Sequence, residues 1–335
     1  MASNRLFGFL ALVGFAAPIT LTGQSTKLVA TGASLSIPAG PEYSRVPVWG
    51  GEALVIAKGP TAAELRSFQA YDKSGVRVFD AAFSVPDVAH YSVSDFARGA
   101  DGTLAICGMS DVSYSHGRGG PFIAWISRDG VTQKVSWTTI YTPSFITIAQ
   151  DGTFWTVGPE VHPNEATNGG ADKKLSAFRH WDRDGRNMFS ISRQSDLPTP
   201  IVASQAVGHL AAAKDRVGWF YHAEDRTGTY IEQYPNGTFA VFRIPEILYV
   251  QSKISIQGLA ITDSGEVFVS VKDEGVEKGV SVFALNRSNA EWVSLALPPE
   301  LTGEFAHLYG ASGADLVFHL PGDPASTVRF YRPAQ

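Results

Sequence analysis

Residues 145–158 read FITIAQDGTFWTVG, and this stretch decides the fold. An apolar run is followed by an Asp-Gly pair and then by a second run that is rich in aromatic and β-branched residues. Two strands joined by Asp-Gly form a tight antiparallel hairpin, because glycine accepts the backbone conformation that the turn requires. We therefore expect a β-hairpin at this position.

The same hairpin pattern recurs along the chain. Further copies are FARGADGTLAICG at residues 96–108, HLAAAKDRVGWFYH at 209–222, GLAITDSGEVFVSV at 258–271 and HLYGASGADLVFHL at 307–320. The tips fall about 50 residues apart in most cases, at Gly51, Gly102, Gly152, Asp215, Gly265 and Gly313. A second series of turns lies between them, at residues 71–75, 125–130, 181–185, 234–237 and 285–289. Two interleaved turn series give four strands per repeat, which is the unit of a β-propeller blade.

The sequence thus predicts an all-β, six-bladed β-propeller built from four-stranded antiparallel blades. The predicted blades cover residues 43–88, 89–142, 143–200, 201–250, 251–300 and 301–335. Blade six has room for three strands. We expect residues 26–38 to supply its fourth strand, because this closes the ring and covers a sheet edge that would otherwise promote aggregation.

The repeated pattern consists of an inner strand, an Asp-Gly tip and an aromatic-rich second strand. It resembles the pattern of six-bladed β-propellers of the NHL-repeat and gluconolactonase (senescence-marker) type. The matching pieces are AQDGTFWTVG at residues 149–158, ADGTLAICG at 100–108 and QGLAITDSGEVFVSV at 257–271. The resemblance covers the chain after its N-terminal segment. It implies the fold and not an activity, because propellers carry many unrelated functions.

Lactonase-like members of this group are expected to hold a divalent metal in the central channel through a Glu, an Asn and an Asp. This sequence departs from that pattern. Residues 43–49 contain no Glu, Gln257 stands where an Asn is expected, and no Asp is expected to close the second strand of blade five. The resemblance therefore transfers no catalytic residue to this chain.

The first 24 residues are typical of a secretory signal peptide. Arg5 precedes an apolar run at residues 6–17, and small and polar residues follow. The run is short for a membrane span. We expect cleavage near residue 24, export to the periplasm or the extracellular space without a membrane anchor, and one propeller domain over residues 25–335. The alternative is a buried N-terminal helix or strand.

Charge and cysteine content narrow the function classes. The net charge is -5, and the 27 Lys and Arg residues are scattered, so the concentrated basic face that nucleic acids require is missing from the sequence. Cys107 is the only cysteine, which excludes an intramolecular disulfide. We expect a monomer that requires no cofactor and whose partner is an unidentified small molecule or protein.

One face of the predicted propeller carries the longer loops, and we call it the long-loop face. Its loops join the second and third strands of a blade, at residues 109–120, 159–174, 223–228, 272–279 and 321–326. Longer loops on one face of a repeat protein indicate its binding side. His116 and Arg118 lie among glycines that permit close approach of a ligand. The alternative is that the loops are solvated insertions.

The channel mouth is predicted from the first residues of the inner strands. Counting back from each tip gives Ser44, Asp95, Ser144, His209, Gln257 and His307. Asp95, His209 and His307 come from alternate blades, and a carboxylate with two imidazoles suits a divalent ion such as calcium or zinc. The alternative is that these side chains line a wet channel. His222 and His319 end second strands near the same face and are further candidates for ligand binding.

Two functions follow from this pattern. The first is an exported module that binds a ligand or protein through its long-loop face, which fits the absence of G-x-S-x-G, H-E-x-x-H and C-x-x-C motifs. The second is a metal-dependent hydrolase or lactonase with Asp95, His209 and His307 as ligands. DGTFWTVG is also similar to streptogramin-inactivating lyases with this fold, but it is a blade motif.

Overall fold

The computed structural model describes residues 26–38, 47–61, 63–110, 119–138, 141–159, 176–191, 208–222, 228–234, 238–244, 254–273, 279–303, 306–320 and 325–334. These residues form six four-stranded antiparallel sheets, which are the blades of a six-bladed β-propeller. The predicted fold class is confirmed. The predicted signal peptide lies outside the described residues, as do Ser44, His116 and Arg118.

The strands are numbered in chain order. The first strand, β1, spans Leu28–Pro38. Blade one contains β2 Val48–Gly50, β3 Ala53–Lys58, β4 Ser67–Asp72 and β5 Arg77–Ala82. Blade two contains β6 Tyr91–Arg98, β7 Leu104–Ser110, β8 Pro121–Ile126 and β9 Gln133–Trp137. Blade three contains β10 Phe145–Ile148, β11 Phe154–Pro159, β12 Ser176–Trp181 and β13 Asn187–Ile191.

Blade four contains β14 Gly208–Ala213, β15 Arg216–His222, β16 Gly228–Gln233 and β17 Phe239–Ile244. Blade five contains β18 Ile254–Ile261, β19 Val267–Asp273, β20 Gly279–Asn286 and β21 Glu291–Ser294. A short 3₁₀ helix at Pro299–Leu301 leads to blade six, which contains β22 His307–Ser312, β23 Asp315–Leu320 and β24 Ala325–Pro333. The second strand of blade five therefore ends in Asp273, so the expectation that no Asp closes it was wrong.

The inner strands form a closed ring. In the order β2, β6, β10, β14, β18 and β22, each inner strand contacts the next, and β22 also contacts β2. The second strands are buried on both faces, as in β7 and β11, because each blade packs against two neighbours. This explains why they read as continuous apolar runs and not as alternating ones.

The predicted Asp-Gly hairpin of blade three is present. Ile148 pairs with Phe154, and between them the Gly152 amide donates to the Ala149 carbonyl at 2.9 Å. Gly152 has a φ of +79°, which glycine adopts without strain. The Asp151 carboxylate accepts the Thr153 amide at 2.9 Å and so fixes the turn from its other side.

The N-terminal strand completes blade six as predicted. β1 pairs antiparallel with β24, from Leu28 opposite Pro333 to Pro38 opposite Ala325. The Leu28 amide also donates to the Ala296 carbonyl at 3.0 Å, in the segment that follows blade five. This second attachment was not expected from the sequence. Leu35 packs between blades six and one and is 6% exposed.

A buried ionic network joins blades four and five on the face opposite the long loops. Glu232 is fully buried and pairs with Arg287, while the hydroxyls of Tyr230 and Tyr234 donate to its carboxylate at 2.9 and 2.8 Å. Burial opposes ionisation, but Arg287 and the tyrosine hydroxyls hold the pKa of Glu232 below its usual value. Arg287 also donates to the Gly265 carbonyl at 2.9 Å, in the inner hairpin of blade five. The two blades are thereby fixed to each other by fully paired polar groups.

Replacing Leu35 by Ala is expected to lower the free energy of unfolding by about 2–5 kcal/mol, because it opens a cavity where the ring closes. The matched control is Val29→Ala in the same strand, where the side chain is 48% exposed. It should change the free energy by no more than about 0.5 kcal/mol. Urea denaturation followed by tryptophan fluorescence measures both. If Leu35→Ala changes the free energy of unfolding as little as Val29→Ala does, β1 does not close the ring in solution.

Candidate functional site

The described channel-mouth candidates lie in the inner strands or directly before them. Asp95 is in β6, Ser144 directly precedes β10, and the others lie in β14, β18 and β22 as His209, Gln257 and His307. His222 and His319 lie in the second strands of blades four and six. Ser144, His209 and His307 therefore lie at the start of their inner strands, whereas Asp95 and Gln257 lie in the middle of theirs.

Asp95 connects two blades. The register of β6 against β7 shifts between Val93 and Asp95, and this β-bulge re-aims the side chain. Its carboxylate accepts the Ile146 amide at 2.9 Å, on the inner strand of blade three. Asp95 thereby satisfies a backbone group of the neighbouring blade.

The candidates in blades three to five are also part of the local packing and strand pairing. His209 lies beside Phe145 of blade three, with ring centroids 5.9 Å apart. The Ser144 amide donates to the Val157 carbonyl at 2.8 Å. Gln257 occupies a second bulge, between Ile256 and Gly258. These contacts give each residue a place in the packing of the inner ring.

The structure does not bring Asp95, His209 and His307 together with the geometry of a metal centre. Within the described ranges, no group of three His, Cys, Asp or Glu side chains could hold a metal ion. The metal set that the family resemblance implied is not reproduced there either. Metal ligation by these three residues stays a prediction.

Blade six instead forms a stack of three rings on its two innermost strands. His307 and His319 are opposite each other on β22 and β23, with ring centroids 6.1 Å apart and planes at 22°. The ring of Tyr309 lies 5.2 Å from that of His319, with planes at 6°. We call His307, Tyr309 and His319 the blade-six ring stack.

A third bulge places Tyr309 in this stack. The register of β22 against β23 shifts between Leu308 and Gly310, which leaves Tyr309 as the extra residue. Gly310 has a φ of +151°, and a Cβ there would lie 3.2 Å from the Trp49 carbonyl oxygen of blade one. Only glycine fits both the backbone conformation and the close approach. The Tyr-Gly pair in the strand is the sequence signal that reasoning from repeats missed.

Three buried polar atoms of this region have no hydrogen-bond partner in the part of the chain that the structure describes. Among the described residues, none bonds to the Tyr309 hydroxyl, the His319 Nδ1 or the Trp49 indole nitrogen. Trp49 is 5% exposed and packs with Tyr309 between blades six and one. Such atoms are uncommon in folded proteins and call for an explanation.

The tyrosine hydroxyl is exceptional within this molecule. Tyr91 donates to backbone carbonyls of Leu65 or Phe83 at 3.0 Å, and Tyr141 donates to the Thr156 hydroxyl at 2.8 Å. In the part of the chain that the structure describes, Tyr309 is the tyrosine whose buried hydroxyl lacks a partner. The fold satisfies buried tyrosines elsewhere, so Tyr309 marks a position with a different requirement.

The ring stack is uncharged at neutral pH. Burial, followed by the nearby His307, lowers the pKa of His319 to about 4. Burial and the positive charge of Lys272 lower the pKa of His307, and burial raises the pKa of Tyr309. The stack therefore offers flat ring surfaces and neutral donors and acceptors.

Other unpartnered polar atoms lie deeper in the fold. Between blades three and four they include the Trp219 indole nitrogen and the Thr229 hydroxyl, and both residues are fully buried. His180 stacks on Trp155 in the same interface, with centroids 4.0 Å apart, and burial lowers its pKa. These residues lie on second and third strands, whereas His307 and Tyr309 of the blade-six ring stack lie on an inner strand.

In the described part of the chain, no helix has the length and apolar composition that a membrane span requires.

Comparisons with known proteins agree on the fold. No family model and no curated protein matches the chain. Among solved structures, a luciferin-regenerating enzyme is similar with a TM-score of 0.50 and 12% identity, over 92% of this chain and 95% of that one. A protein of unknown function from Dyadobacter fermentans is similar with a TM-score of 0.53 and 9% identity, over 92% and 99% of the two chains. At such low identity the likeness shows the shared fold alone.

The titration of His319 tests the uncharged state of the stack. Its folded pKa of about 4 lies below the ordinary value of 6.5, so the unfolded chain takes up the proton first as the pH falls. The His319 contribution to stability is therefore present above pH 6.5 and is lost towards pH 4. His319→Gln should remove this part of the pH dependence, while His90→Gln, at an exposed site, should leave it unchanged. NMR of labelled histidines measures the pKa directly, and a His319 value at or above 6.5 would contradict the assignment.

Proposed function

We propose that this protein is an exported, monomeric binding propeller that takes a small-molecule ligand at the channel mouth, on its long-loop face. The blade-six ring stack is the central contact. The observation that carries the proposal is the buried Tyr309 hydroxyl, which has no hydrogen-bond partner among the described residues, next to the His319 Nδ1, which has none there either. A ligand that bonds to both atoms would resolve an arrangement that is otherwise unfavourable.

Without a ligand, the unpartnered atoms of the stack lower the stability of the protein. A buried polar atom without a partner costs about 1–3 kcal/mol, because the water that it lost has not been replaced. Phenylalanine at position 309 would keep the ring contacts with His319 and the packing against blade one, and it would carry no such cost. Proteins keep unfavourable arrangements of this kind mainly at sites where function requires them.

The position of the stack supports the same conclusion. Two of its three residues lie on an inner strand that is shaped by a β-bulge, and bulges are enriched beside functional sites. The strand that carries His319 leads into a loop that the sequence analysis places on the long-loop face, at residues 321–326. His116, Arg118 and His222 are proposed as further contacts from neighbouring loops and strands of this face. Asp95, Ser144, His209 and Gln257 are proposed to line the rest of the mouth.

Metal-dependent hydrolysis is the second candidate. It has one observation in its favour, because the lowered pKa values keep His307 and His319 in the neutral form that metal ions require. The positive charge of Lys272 near His307 disfavours a cation there.

Elemental mass spectrometry of the untagged protein separates the two functions. The binding proposal predicts no stoichiometric metal in protein purified without added ions. About one divalent ion per chain, lost on Asp95→Ala, would favour the hydrolase, because a site of this kind binds one ion through few ligands. A screen of lactones and esters would then be the next experiment.

The Tyr309→Phe variant tests the observation that carries the proposal. Removing an unpartnered hydroxyl is expected to leave the free energy of unfolding unchanged or to raise it by about 1 kcal/mol. The matched control is Tyr91→Phe, which removes a hydroxyl that donates to backbone carbonyls at 3.0 Å. It should lower the free energy by about 1–3 kcal/mol, because it leaves buried carbonyls unpaired.

Urea denaturation of both variants beside the parent protein gives the comparison. A Tyr309→Phe variant as destabilised as Tyr91→Phe would show that the Tyr309 hydroxyl already has a partner in the free protein. The proposal would then lose its main support.

A further inference from the structure

We infer that the ligand of the blade-six ring stack presents a flat, uncharged aromatic ring whose edge carries a hydrogen-bond donor and an acceptor, as an aromatic amide or lactam does. This inference rests on the proposed function and specifies its ligand class. It follows from three features of the stack: the orientation of its rings, the polar atoms at its edge and the charges around it.

The ring orientation favours a flat ligand. The planes of Tyr309 and His319 differ by 6°, and those of His307 and His319 by 22°. Aromatic pairs in the apolar packing of this fold are often close to perpendicular, as in Trp49 with Phe330 at 83°. Near-parallel rings present their faces in one direction, and a further ring can join them in an offset stack. An aliphatic ring of equal size has no flat face to place there.

The unpartnered atoms favour a ligand edge with both donor and acceptor. The Trp49 indole nitrogen can only donate, and the neutral His319 Nδ1 donates or accepts according to its tautomer. The Tyr309 hydroxyl can do both. A carbonyl beside an N–H group can bond to two of these atoms at once. A hydrocarbon ring would leave all of them unpaired.

The charges favour an uncharged ligand. The atoms without a described hydrogen-bond partner belong to neutral groups. Burial shifts the pKa of each of the three stack residues in the direction that favours its neutral form. A charged ligand would lose its hydration without a fully paired opposite charge. Lys272 is the charged residue that acts on His307, so an aromatic anion is the competing class that the experiment must include.

Three matched probes test the inference on the full chain. Benzamide is flat and neutral, with a carbonyl and an N–H edge; benzoate has the same ring with a negative charge; cyclohexanecarboxamide has the same amide on a ring that is not flat. Each probe is titrated into protein with labelled His and Tyr, and the signals of His319 and Tyr309 are followed by NMR. Benzamide should bind about tenfold more tightly than either other probe, as expected for one additional favourable contact.

Two variants connect the binding to the stack. Tyr309→Phe should weaken benzamide binding about tenfold, because one hydrogen bond is lost. His90→Ala, at an exposed position, should leave the affinity unchanged. Tighter binding of benzoate would overturn the uncharged class, and equal binding of cyclohexanecarboxamide would overturn the flat ring.

The absence of any shift at His319 and Tyr309 with all three probes would overturn the inference as a whole. The proposed function is judged separately, by the stability of Tyr309→Phe against Tyr91→Phe. If Tyr309→Phe is not destabilised while benzamide fails to bind, the site stands and its ligand class is wrong. If Tyr309→Phe is destabilised like the control, both proposals fall.

Discussion

The pairing of β1 with β24 is the constraint on which the rest of the structure depends. A ring of blades is stable only if its last blade is complete and packs against the first. Here one strand from the beginning of the chain does both, because β1 pairs with β24 and Leu35 packs against blade one. Leu28 adds a backbone hydrogen bond to Ala296 beside blade five, so three blades meet along this strand. The closed ring then holds the inner strands, and with them the channel mouth, in a fixed arrangement.

Within this ring, polar groups are treated in two different ways. Between blades four and five, Glu232 is buried together with two tyrosine hydroxyls and Arg287, and its carboxylate is fully paired. In the blade-six ring stack, the Tyr309 hydroxyl and the His319 Nδ1 are buried and have no hydrogen-bond partner among the described residues. The first arrangement stabilises the fold and offers a ligand no unpaired polar atom. The second leaves polar atoms without a described partner, which is the physical basis for proposing a binding site there.

The sequence predicts the fold well, because the positions and spacing of the turns define the hairpins and blades of a propeller. Asp-Gly tips such as that at Gly152 locate the hairpins, their period gives four strands per blade, and the surplus strand at residues 28–38 has one place to go. The sequence predicts the site only in part. His307 and His319 follow from the strand ends, but Tyr309 reaches them through a bulge, and one extra residue changes which side chains share a face. Metal ligation by Asp95 stays a prediction, and the hydrogen bond from its carboxylate to a backbone amide of the next blade was not expected from the sequence. Contacts between blades join residues about 50 positions apart, and hairpin patterns carry no information about them.

The most direct test of the central claim is a high-resolution crystal structure of the protein purified without small-molecule additives. The measured quantity is the set of atoms within hydrogen-bonding distance of the Tyr309 hydroxyl and the His319 Nδ1. The account predicts that neither atom has a protein partner, and that the space facing them holds solvent or a bound molecule. Protein donors or acceptors at both atoms, supplied by the loops of the long-loop face, would contradict it and would make the ring stack part of the structural core.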